Sequence, residues 1–98
     1  MARYTFGESE FTNILWIKNK DLFIKPDQVN VEFTNSGNVY FIVEDTNGNI
    51  VKEVKHDRGG WTSFHLPSLG LYDNYYLGFR NADSGTRIIK QGDVEYEL

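Results

Sequence analysis

Cysteine is absent from the 98 residues, so no disulfide framework, no thiolate nucleophile and no thiolate metal site can be built. The same absence leaves the compartment open, because chains without disulfides occur both inside cells and among exported bacterial proteins. Proline occurs twice and methionine once. Positive charge is scarce: ten Lys plus Arg stand against fourteen Asp plus Glu, a net charge of −4. Without a basic field the chain has nothing with which to attract nucleic acid or an anionic membrane. Long apolar runs are missing as well. The longest, Ile14 to Ile17 and Val39 to Val43, fall far short of the ~20 residues of a membrane-spanning helix, so no membrane insertion is expected. No stretch repeats apolar residues at i, i+3, i+4 and i+7 over ~11 residues, which limits helix to a turn near Pro67 to Leu71. The first eight residues, Met1 to Glu8, hold no apolar core or small-residue cleavage site of a signal peptide.

What the chain does have is apolar and aromatic side chains, 40% and 15% of residues, enough to exclude intrinsic disorder. Its length fits one domain spanning residues 1–98. Turn signals are frequent, and between them lie short β-branched and aromatic stretches, the pattern of an all-β sandwich or barrel. Asp45-Thr46-Asn47-Gly48-Asn49 is the strongest: Asn47-Gly48 suits a type I′ turn and predicts a hairpin of 38–45 with 49–56. Asn35 to Asn38 and Asp57 to Gly60 are read as further short connections of a meander. Residues two apart share a face of a strand. Val29, Val31 and Phe33 therefore oppose Asn30, Glu32 and Thr34, and Phe64 and Leu66 oppose Trp61, Ser63 and His65. Val39, Phe41 and Val43 oppose Tyr40 and Ile42, which predicts a central strand covered in part on both sides. Tyr4 with Phe6, Asn13 to Lys18, and Leu22 to Ile24 are expected as strands of the N-terminal third. The C-terminus reads as a strand 87–91, a Gly92-Asp93 turn, and an edge strand where Val94, Tyr96 and Leu98 oppose three acids.

Candidate chemistry is sparse. His56 and His65, in neighbouring expected strands, would make at most half a zinc site, with no third His to complete it. The Asp45 loop begins like a calcium loop but has Ile50 where glycine is needed and His56 where the bidentate Glu belongs. The acidic pairs Glu8/Glu10, Asp93/Glu95 and Glu95/Glu97 read as solvated edges rather than a glycosidase pair. Phosphate loops and dinucleotide fingerprints are lacking, so no cofactor, no metal and no catalytic residue is expected. The functional colour lies in the aromatics mixed with Asp, Asn and Arg around Asp57 to Trp61 and Leu71 to Tyr76. Arg58, Trp61, Tyr72 and Tyr76 are the candidate contact residues for a partner or a sugar. Against this stands a packing role, with Trp61 and Tyr75 filling the core and Tyr72 and Tyr76 capping it.

Asp45 to Lys52, Trp61 to Leu69 and Tyr75 to Phe79 together resemble small β-sandwich modules of secreted bacterial proteins, over about residues 29–98. The resemblance implies an immunoglobulin-like sandwich and an extracellular setting, with a cytoplasmic one as the alternative. The expectation is thus an all-β protein: a single antiparallel β-sandwich, immunoglobulin-like or related, of about seven to nine short strands. Functionally it reads as a non-catalytic binding module that contacts a protein or a cell-envelope polysaccharide. A carbohydrate-binding module is the alternative, and a small self-assembling structural or phage-derived protein is another.

Overall fold

A computed structural model describes residues 1–97. Nine strands form two antiparallel sheets: β1 Ala2–Phe6, β2 Ser9–Phe11, β3 Ile14–Trp16, β4 Gln28–Phe33, β5 Val39–Glu44, β6 Ile50–His56, β7 Gly60–His65, β8 Tyr76–Asn81 and β9 Arg87–Tyr96. Sheet I runs in the order β1-β9-β4-β7, with β2 also pairing β9; sheet II runs β3-β8-β5-β6. This is the β-sandwich the alternation predicts. Its core is the set of inward residues that the period of two selects, including Val29, Val31, Phe33, Val39, Phe41, Val43, Leu77, Phe79, Ile89 and Val94, all under 2% exposed. Phe41 stacks on Phe64 across the interior at 4.5 Å between ring centres, and Phe33 meets Phe79 edge-on at 5.7 Å.

The connections depart from a meander. Only β5 and β6 form the expected tight hairpin. The links 34–38 and 57–59 instead carry the chain from one sheet to the other, because β4 and β7 pair together in sheet I. The 45–49 turn also differs from type I′: Gly48 has φ 86° while Asn47 is not among the residues of positive φ. Beyond the turn a separate bulge at Val51 shifts the β5–β6 register; within the turn Gly48 N–H donates to the Asp45 carbonyl at 3.2 Å and Asp45 N–H to the Asn49 carbonyl at 2.9 Å. That is the three-residue hairpin loop with a glycine bulge. Asp45 Oδ1 accepts from the Asn47 and Asn49 N–H groups at 3.0 and 2.9 Å, so this carboxylate is used in holding the turn.

The expected Gly92-Asp93 turn is absent. β9 is continuous and central, and a bulge against Glu32 and Phe33 changes which of its side chains face inward. Arg87 and Ile89 point in before it, Val94 after it. At Gly92 a Cβ would collide with the Phe6 ring and come within 2.6 Å of the Asn30 carbonyl oxygen. Leu98, expected to continue the alternation, lies outside the described residues. The segment 22–24 contributes a single bridge, Phe23 to Tyr75, rather than a strand. Pro67–Leu69 forms the one short 3-10 turn the sequence allowed.

A second 3-10 turn, Ile17–Lys20, is left-handed at Lys18, Asn19 and Lys20, with φ of 57°, 52° and 64°. Such φ values cost non-glycine residues roughly 1–2 kcal/mol each. Two lysines of this turn lie against aromatic rings. The Lys18 ammonium lies 5.5, 5.8 and 5.9 Å from the ring centres of Tyr4, Phe23 and Tyr96. Lys20 lies 4.5 Å from the Trp16 ring centre and pairs with Glu44 at 3.0 Å.

Candidate functional site

The outer face of sheet I is assembled row by row from strand registers. One row is Arg3, Glu95, Gln28 and His65; the next is Thr5, Asp93, Asn30 and Ser63; a third is Gln91, Glu32 and Trp61. Hydrogen bonds link these side chains across the strands. Gln28 Nε2 and Ser63 Oγ donate to Asn30 Oδ1 at 2.7 and 2.6 Å, and Asn30 Nδ2 donates to Asp93 Oδ1 at 2.8 Å. Gln91 Nε2 donates to Glu32 Oε1 at 3.0 Å. Arg3 pairs with Glu95 at 2.7 Å, and this bond, with the charge of Asp93, holds the guanidinium further above its ordinary pKa.

Trp61 is the sole aromatic residue in those rows and is 56% exposed. Its position at the start of β7, on the face shared with Ser63 and His65, leaves the indole off the core, which corrects the core-filling alternative for this residue. Tyr75 does fill the core, at 8% exposed. Arg58, three residues before Trp61, has an exposed side chain and a fixed backbone. Its carbonyl accepts hydrogen bonds from Arg87 Nη2 at 2.9 Å and His56 Nε2 at 2.8 Å.

The four candidate residues do not converge. Arg58 and Trp61 lie near one end of the sandwich, at the crossing from β6 to β7. Tyr72, 70% exposed, follows the other end of β7 and lines a shallow recess of about 280 Å³ with Pro26, Pro67 and Leu71. Tyr76 is half-buried on the outer face of sheet II, opposite Glu44 and 5.8 Å from the Lys20 ammonium. The two histidines are also apart. His56 stacks inward on Phe33 at 5.4 Å, while His65 is bonded to Ser68 at 2.6 Å and lies 3.4 Å from Asp27. Among the described residues no group of three or more His, Asp or Glu side chains is placed to hold a metal ion.

Sequence reading missed the polar lattice around Trp61 and the buried Arg87. The lattice had a signal: residues 28, 30 and 32 and residues 91, 93 and 95 are polar with strict alternation. Arg87 had none. It is 1% exposed, lies 4.1 Å over the Phe33 ring and donates from Nη1 to Asn35 Oδ1 at 3.0 Å, while its Nε finds no partner. Burial lowers its pKa, and nearby Asp83 opposes that shift.

The chain matches no protein-family model, and comparison with curated proteins gives no significant match.

Proposed function

We propose that the protein is a non-catalytic binding module, secreted or surface-associated in a bacterium, that contacts a cell-envelope partner through the outer face of sheet I. Polysaccharide is the partner the geometry favours. The observation that carries this is the exposed indole of Trp61 at the margin of a hydrogen-bonded lattice of amides and carboxylates. A sugar ring presents C–H groups to an aromatic face and hydroxyls to neighbouring polar groups, and amide side chains offer both donors and acceptors. Glu32, Gln91, Asn30, Asp93 and Ser63 are already held by one another, so little side-chain entropy is lost when a ligand displaces water from them. The composition of this face supports the reading. Asn, Asp and Glu are disfavoured in strands, yet with Gln they fill positions 28, 30 and 32 of β4 and 91, 93 and 95 of β9.

A protein partner is the second reading, favoured by the exposed Arg58 beside Trp61, since Trp and Arg are the commonest interface anchors. Titration with purified envelope polysaccharides and a panel of other glycans tests the first reading. Saturable binding that Trp61→Ala abolishes supports it, and no binding across the panel removes it in favour of a protein partner.

A further inference from the structure

We infer that β6 pairs with β6 of a second copy of this chain, so that the two copies of sheet II become one continuous antiparallel sheet. β6 is the outermost strand of sheet II and spans Ile50–His56, whereas the opposite edge strand, β3, spans only Ile14–Trp16. One side of β6 pairs with β5; the other leaves a row of backbone N–H and C=O groups open to a partner strand. Glu53 and Lys55 are exposed along that edge, on the outer face. Phe64 of β7 packs beneath Phe41 of β5 and His56 of β6, while Ile50, Val51, Glu53 and Lys55 of β6 stay exposed.

Charge selects the occupant. A two-fold axis that keeps both interiors on the same side of the joined sheet must centre the pairing on one residue, because residues directly opposite share a face. Centring on Lys52 or on Glu53 sets like charges face to face, which is destabilising. Centring on Val54 pairs Val54 with itself on the inner face and sets Glu53 of each copy opposite Lys55 of the other on the outer face. Glu53 is already oriented by Arg80 at 3.1 Å, and among the described residues Lys55 has no ion pair within its own chain. Lysines on an edge strand usually discourage pairing. Here the acid between them makes one register self-complementary. This interface lies on sheet II, away from Trp61, and stands independently of the proposed polysaccharide site.

Sedimentation equilibrium at low ionic strength, from about 10 μM to 1 mM, reads the association directly. The weight-average mass should rise from 11.4 kDa toward twice that value. Glu53→Lys or Lys55→Glu alone should weaken association at least about tenfold, and the double swap should return it to within about threefold of the original. Thermal melts at a concentration where the parent is monomeric should place all three variants within a few degrees of it, since both side chains are exposed and the Glu53–Arg80 pair is a surface one. A monomer throughout the concentration range overturns the inference, as does a double swap no tighter than the single variants.

Discussion

Trp61 stands directly across the β4–β7 ladder from Glu32, whose carboxylate is held by Gln91 on the next strand at 3.0 Å. The relationship places a large apolar side chain among polar neighbours without burying it. An exposed indole adds little to folding, whereas a core aromatic adds a great deal. Trp61→Ala should therefore lower stability by less than about 1 kcal/mol, and Phe41→Ala, fully buried, by about 3–5 kcal/mol. Urea unfolding of the two variants separates these outcomes. Equal losses would place Trp61 in the packing of the sandwich.

Arg87 ties two connections to the end of β4, through Asn35, the Arg58 carbonyl and the Phe33 ring. Removing it takes one of two donors from each acceptor, Ile88 N–H and His56 Nε2 remaining, and opens a cavity over the Phe33 ring. Arg87→Ala should cost about 3 kcal/mol. Arg87→Met keeps much of the volume without a buried cation or its unsatisfied Nε, and should recover a substantial part of that loss. Chemical denaturation checks both, and a Met variant as unstable as the Ala variant would show that the hydrogen bonds matter more than the packing.

Asp83 accepts the backbone N–H of Asn38 at 2.7 Å and its Nδ2 at 2.9 Å, and these bonds, the backbone one foremost, lower its pKa from 3.8. A carboxyl depressed on folding stabilises the folded state above its unfolded pKa, and that contribution is lost as pH falls through the folded value. The acid limb of stability should thus steepen below pH of about 4. Asp83→Asn should flatten that limb while leaving its shape near neutrality unchanged. Melting temperature against pH for the two proteins measures it; superimposable acid limbs would contradict the assignment.

At Asn19 the left-handed backbone, φ 52° and ψ 36°, suits glycine better than any residue with a Cβ. Asn tolerates the conformation better than Lys, so the gain on substitution is modest. Asn19→Gly should raise stability by up to about 1 kcal/mol, offset in part by the greater freedom of the unfolded chain. Replacing Lys18 instead should destabilise, because its ammonium sits among Tyr4, Phe23 and Tyr96. Differential scanning calorimetry gives both signs.

Strand alternation made the sandwich legible, since Val29, Val31 and Phe33 or Val39, Phe41 and Val43 can share a core only as strands. Which sheet each strand joins was not legible. A short polar link such as Asn35 to Asn38 serves a hairpin or a crossing between sheets equally, and the choice depends on long-range pairing of β4 with β7 and β9. The change of phase in β9 was visible between Ile89 and Val94 but reads equally as a turn or as a bulge. What decides it is Phe6, whose ring occupies the place of a side chain at Gly92. At the candidate site, parity correctly placed Trp61 with Ser63 and His65. The lattice around it needed the registers, because Gln91 and Glu32 are remote in sequence. Arg87 was hidden for the same reason: its partners come from two distant connections.

Trp61 and the polar lattice beside it are the contact surface proposed for the protein. Isothermal titration of the intact protein with purified cell-envelope polysaccharide, run in parallel on Trp61→Ala, Glu32→Ala and Tyr72→Ala, tests it most directly. Saturable binding is expected, abolished by Trp61→Ala, weakened about tenfold by Glu32→Ala and left intact by Tyr72→Ala. Binding that survives Trp61→Ala and disappears with Tyr72→Ala would contradict it and move the site to the opposite end of the sandwich.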